Sequence, residues 1–122
     1  MPDISYGISL TVNKDNLVNQ VAVSNITAAM SNVGLKSVTY TLSTNTTSIS
    51  TANLSSVGVA FLRNLSTAAA STAQIGIAAG GSFASFATLR AGEPQLIRLS
   101  SGTDYVAIGT AGTRLRVDIT EG

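Results

Sequence analysis

A side-chain alternation of period two recurs along this chain and constrains it more than any other feature. Tyr6, Ile8, Leu10 and Val12 alternate with Gly7, Ser9 and Thr11. Val38, Tyr40 and Leu42 alternate with Ser37, Thr39 and Thr41, and near the end Leu115, Val117 and Ile119 alternate with Arg114, Arg116 and Asp118. Successive side chains of an extended strand point to opposite faces, so each stretch reads as a half-buried strand with one face for a core and one for solvent.

The run from Val57 to Leu62 is apolar on both parities and is expected to be a central strand covered on both faces. Further strands are predicted at 73–78, 83–89, 95–99 and 105–109. They are set apart by Gly80-Gly81, Ala91-Gly92-Glu93-Pro94, Ser101-Gly102 and Ala111-Gly112 turn signals. Residues 16–32 join Leu17, Val21 and Val23 to the helix-compatible Ala28-Ala29-Met30 and are assigned to strand. Ala68 to Ala70 suits a short helix or an exposed loop. Short strands at this spacing make a sandwich or a barrel. With no linker, charge run or long-period repeat, one all-β domain over 1–122, an antiparallel β-sandwich, is the expectation.

At 122 residues the chain is long enough for one core. Only 11% of residues are charged, and Ser and Thr, about a quarter of the chain, cover the surface instead. Seven basic residues against six acidic ones give +1, far from the excess that phosphate-backbone binding needs, so no nucleic acid is expected as partner. The weak self-repulsion permits oligomers. No stretch nears the roughly 20 continuous apolar residues of a membrane helix, and no membrane partner is expected. Met1 to Tyr6 shows no basic and apolar leader pattern, so the start is expected to be mature.

The chemistry available is narrow. There is no Cys, which excludes disulfides and thiolates, and no His, the commonest general base and metal ligand. The acids Asp3, Asp15, Glu93, Asp104, Asp118 and Glu121 show no spacing that suggests a shared site. Asp104 and Asp118 could converge as a hydrolytic pair, but solvent-facing charge beside Arg98, Arg114 or Arg116 is the expected role. A Ser–Lys nucleophile on Lys14 or Lys36 has no motif behind it. Gly76 to Ser82 resembles a phosphate cradle but lacks its Lys and reads as a tight turn. The Asn-x-Ser/Thr triplets at Asn25, Asn45, Asn53 and Asn64 follow from composition.

Aromatics are few and Trp is absent, which weakens a sugar-stacking role. Tyr6 and Tyr40 are expected in the core with the hydroxyl at its edge. Tyr105 is the aromatic whose truncation would test glycan binding. Arg63, Arg90, Arg98, Arg114 and Arg116 enrich the second half in a residue favoured at protein interfaces. These readings give no catalytic, cofactor-binding or metal residue, and an enzyme is not expected.

The phrases Gly58-Val59-Ala60-Phe61-Leu62-Arg63-Asn64-Leu65, Gln74-Ile75-Gly76-Ile77, Leu89-Arg90-Ala91-Gly92-Glu93-Pro94, Tyr105-Val106-Ala107-Ile108 and Leu115 to Gly122, in this order, resemble small virion proteins of tailed bacteriophages. The resemblance implies a jelly-roll-like sandwich without an active site, made in the host cytoplasm and carried on the virion. It implies a decoration or cement protein on the capsid surface, with the major capsid protein or other virion proteins as partners. It also implies a homo-oligomer, for which a trimer matches the local symmetry of many capsid sites. The alternatives are a receptor- or carbohydrate-binding module of a tail or fibre, and a structural protein of the neck or tail. The resemblance carries over no binding residue.

Overall fold

The computed structural model describes residues 3–30, 33–51, 54, 56–100 and 102–121. Asn53 and its triplet, and the first two residues of the N-terminal reading, lie outside the described residues. The described chain is all-β, and every strand pairing is antiparallel. It divides into two compact units, Met1–Ser31 and Asn32–Gly122.

The first unit is a long hairpin of β1 (Ile4–Lys14) and β2 (Leu17–Ala28), turned at Asp15 and Asn16. Asp15 takes φ 52°, a left-handed conformation that Asp tolerates better than most side chains. The stretch assigned to strand over 16–32 is strand from Leu17 to Ala28; Ala29 and Met30 are not, and residues 31–32 lie outside the described residues. β1 pairs with β2 alone and joins neither larger sheet, so the N-terminal alternation that suggests a sandwich strand builds a separate ribbon.

The second unit holds two four-stranded sheets. Sheet I has the order β3 (Leu35–Thr41), β10 (Arg114–Glu121), β5 (Val57–Asn64), β8 (Pro94–Arg98). Sheet II has the order β4 (Thr47–Ile49), β9 (Tyr105–Gly109), β6 (Thr72–Ala79), β7 (Ser82–Arg90). The pairs are nested: β3 with β10, β4 with β9, β5 with β8, and β6 with β7. This is the order of one long hairpin rolled upon itself, closed into sheets by the β10–β5 and β6–β9 ladders.

The rolled order explains the sequence pattern. Leu115, Val117 and Ile119 of β10 and Ala60 and Leu62 of β5 share a core with Ala73 and Ile75 of β6 and with Tyr105 and Ala107 of β9. One apolar face of each sheet thus covers the other, the arrangement of a sandwich. β5 lies inside sheet I, as its apolar run predicts, with Val59, Ala60 and Leu62 all buried. The edges are blunted: β8 opens on Pro94, and β4 is only three residues long. Short and flanked by Ser and Thr, β4 gives too little alternation to be predicted. Residues 68–70 form a turn in which Ser71 N–H donates to the Ala68 carbonyl at 3.0 Å.

One close approach and one tight turn constrain the roll. A Cβ on Gly58 would stand 2.6 Å from the Glu121 carbonyl oxygen, where the β10 register shifts. Gly80 and Gly81, at φ 59° and 83°, make the two-residue β6–β7 turn, so the glycine-rich segment is the tight turn expected of it.

Candidate interaction surfaces

The titratable groups are dispersed. Among the described residues no three of His, Cys, Asp and Glu come together to hold a metal. Asp118 lies in β10 of sheet I, whereas Asp104 precedes β9 of sheet II, so the two belong to different sheets. Asp118 Oδ2 accepts from Arg116 Nε at 2.9 Å, a pair within one strand and not across two. Glu93 Oε1 accepts from the Arg90 backbone N–H at 2.6 Å and so secures the turn before Pro94. Glu121 is buried and accepts from Ser56 N–H through Oε2 at 3.2 Å. In register, Lys14 stands opposite Leu17, and Lys36 opposite Ile119.

Asn64 is wholly buried. Its Nδ2 donates to the carbonyls of Leu89 at 3.1 Å and Ser71 at 3.3 Å, and its Oδ1 accepts from Ser66 N–H at 3.0 Å. The last bond is an Asx turn, the local use to which Asn two residues before Ser lends itself. The Asn64 triplet is therefore a structural tie between the ends of β5, β6 and β7.

Two aromatics, Tyr40 and Tyr105, belong to the core; Tyr6, expected there too, lies instead on β1 of the hairpin, because that strand joins neither sheet of the sandwich. Tyr40 packs against the core and its hydroxyl accepts from Ser50 N–H at 3.4 Å, so its ring sits inside with the oxygen at the rim, as expected. Tyr105 is 9% exposed, and its hydroxyl accepts from Ser100 N–H at 2.8 Å. This corrects its choice as the probe of glycan binding: the ring is core and offers no stacking surface. The exposed aromatic ring is that of Phe86, beside the β6–β7 bulge.

The outward side of sheet I is the distinctive surface. Register places Arg114, Arg116 and Asp118 of β10, Phe61 and Arg63 of β5, and Leu96 and Arg98 of β8 on one face. Four of the five arginines named from sequence therefore converge, while Arg90 ends β7 of sheet II. Arg116 lies directly opposite Arg63 in the ladder. Like charges set opposite one another destabilise a sheet, and here each head has a partner: Arg116 on Asp118, and Arg63 Nε on the Gly92 carbonyl at 3.2 Å. The face combines guanidinium groups with half-buried Phe61 and Leu96 at its centre, a composition enriched at protein interfaces. Strand parity alone predicts that Arg114 and Arg116 share a face; that Arg63 and Arg98 join them depends on which strands are neighbours.

The outward side of sheet II carries the uncharged Ser48, Gln74, Thr88 and Ser85, with Arg90 on the same face at the end of β7. At one end Ser48, Ile49, Ser50, Thr51, Thr103, Asp104 and Tyr105 line an open depression of about 320 Å³. No family model matches the chain, and no curated protein or solved structure matches it.

Proposed function

We propose that this chain is a non-catalytic structural protein of a phage virion, a decoration or cement protein that stabilises the head shell by bridging its subunits. The observation that carries the reading is the arginine face of sheet I, where Arg63, Arg98, Arg114 and Arg116 surround Phe61 and Leu96 with Asp118 as the one acid. Planar guanidinium groups bind carboxylates and backbone carbonyls of another protein in two-point fashion, and the apolar centre supplies area to remove from water. The nested strand order is compatible with a jelly roll, an architecture used by viral capsid and lectin domains, and supports the reading to that extent.

The partner in this reading is the major capsid protein, and the arginine face is the side that meets it. The test is to purify the particles of the source phage and look for the chain by mass spectrometry and by electron microscopy of the shell. Stoichiometric presence with density on the head, lost for R63A/R116A, is the expected result. Absence from intact particles overturns it, and density only at the neck or tail moves the site.

A second reading, a carbohydrate-binding module of a tail or fibre, is favoured by the depression beside Asp104, where Ser48, Ser50, Thr51 and Thr103 offer hydroxyls and Asp104 a carboxylate to vicinal sugar hydroxyls. Glycan-array binding abolished by Asp104→Ala would select it, and an array without signal rejects it.

A further inference from the structure

On the outward side of sheet I two arginines close the ends of an apolar seam. The β5–β8 register sets Arg63 beside Pro94, Phe61 beside Leu96 and Val59 beside Arg98. Alternate residues of a strand share a face, so these side chains form three successive rungs of one surface. The middle rung is apolar and half-buried, and each end rung carries one exposed arginine. Val59 is only 4% exposed, so the open apolar ground of the seam is Phe61, Leu96 and Pro94. Arg63 and Arg98 are far apart in sequence, and the pairing of β5 with β8 makes them the two ends of one seam.

Neither end is neutralised by an acid of the described chain. Arg63 donates through Nε to the Gly92 carbonyl at 3.2 Å, which holds the guanidinium and leaves its Nη groups to bind outward. Among the described residues Arg98 has no ion-pair partner. The acids nearby are committed elsewhere. Asp118, one strand over on β10, accepts from Arg116 Nε at 2.9 Å, and Glu93 accepts from the Arg90 N–H at 2.6 Å. Along the ladder the two arginines stand four residues apart, about 13 Å at the rise of a strand. The bond to Gly92, which lies beyond Pro94 in the turn, draws the Arg63 head further from Arg98.

We infer that the seam docks an extended segment of a partner protein in which one apolar side chain is flanked, on the same face, by acids. The inference rests on the arginine face being the binding side and specifies what that side meets. In an extended segment every second side chain points the same way, with the spacing of the rungs. An apolar residue seated on Phe61 and Leu96 therefore sets the residues two positions before and after it over the end rungs, and a residue four positions away reaches the displaced Arg63 head. Carboxylates at those positions accept paired N–H bonds from the guanidinium groups, while the apolar contact takes the centre of the seam out of water. A nucleic acid is disfavoured, because its evenly spaced phosphates would be pressed against Phe61 and Leu96 and brought towards Asp118.

The test is a titration of the isotope-labelled full chain, followed by nuclear magnetic resonance, with the peptide acetyl-Glu-Ser-Glu-Thr-Leu-Thr-Glu-Ser-Glu-amide. It needs no particle. A chain absent from virions that binds the peptide keeps this inference and loses the virion reading, and a chain on the shell that ignores the peptide does the reverse. Saturable shifts centred on the amides of Phe61, Arg63, Leu96 and Arg98 are expected. Exchanging the peptide's leucine for serine is expected to weaken binding about fivefold or more, and Arg63→Glu or Arg98→Glu about tenfold each. The peptide with lysine at every glutamate is expected to bind R63E/R98E and not wild type, a reversal that a damaged fold would not give. No saturation at millimolar peptide, shifts centred outside the seam, equal affinity for the leucine-free peptide, or tighter binding of a DNA duplex at the same amides would each overturn the proposal.

Discussion

The hairpin and the rolled body use the same period-two code, yet they spend it in opposite ways. Leu115, Val117 and Ile119 are at most 2% exposed, whereas Ile8, Leu10 and Val21 are more than half exposed. The side chains are of one kind and the local conformation is the same. The difference is the second layer: β10 faces sheet II across the core, and the ribbon has no facing sheet within its unit. Alternation thus specifies that a face is to be buried, and topology specifies whether the chain buries it by itself.

This contrast can be broken first at its strongest point. Leu115→Ala is expected to lower the stability of the body by about 2–5 kcal/mol in urea unfolding, since the site is fully enclosed and leaves a cavity. Leu10→Ala, read on the same body transition, is expected to change it by less than about 0.5 kcal/mol. Equal effects would mean that the hairpin is part of the body's core.

Two of the three described triplets, those at Asn64 and Asn25, sharpen the comparison. Asn64→Ala strands the buried carbonyl of Leu89 and the half-buried one of Ser71 and is expected to cost about 2–3 kcal/mol, measured by thermal and chemical unfolding. Asn25 serves the β-bulge of the hairpin through its backbone conformation, which Gly adopts without strain, so Asn25→Gly is expected to shift stability by no more than about 1 kcal/mol.

Gly58→Ala drives a Cβ against the Glu121 carbonyl and is expected to cost about 1–3 kcal/mol, with the loss appearing as a lower urea midpoint. The smallest effect on stability belongs to Arg116→Ala. It removes an exposed ion pair and at the same time relieves the repulsion from Arg63, so the body should stay within about 0.5 kcal/mol of wild type. Binding to the partner surface, measured separately, is where that substitution is expected to register.

Much of the fold is legible in the residues, because strands and tight turns are local. The strands at 38–42, 57–62, 73–78 and 115–119, and the Gly80-Gly81 turn, follow from parity and from glycine's access to positive φ. β4 is hidden because three residues among hydroxyl side chains carry no period, and it exists through its ladder to β9. Tyr105 is chosen from the sequence as the ring whose truncation tests glycan binding, and is interior because its side of β9, shared with Ala107, faces the core.

The candidate surface was less legible. Arginine enrichment in the second half is visible, yet Arg63, Arg98 and Arg116 are far apart in sequence and meet only because β5 lies between β10 and β8.

The sequence by itself determined the class of element, the inward and outward faces of each strand, and the absence of imidazole and thiol chemistry, since these depend on residue type and on spacing of one or two positions. Only the tertiary structure decided which faces cover one another, which arginines share a surface, and that the first two strands pair only with each other. Those outcomes depend on strand order, and strand order is set by pairings between distant residues, whose energies no local pattern records.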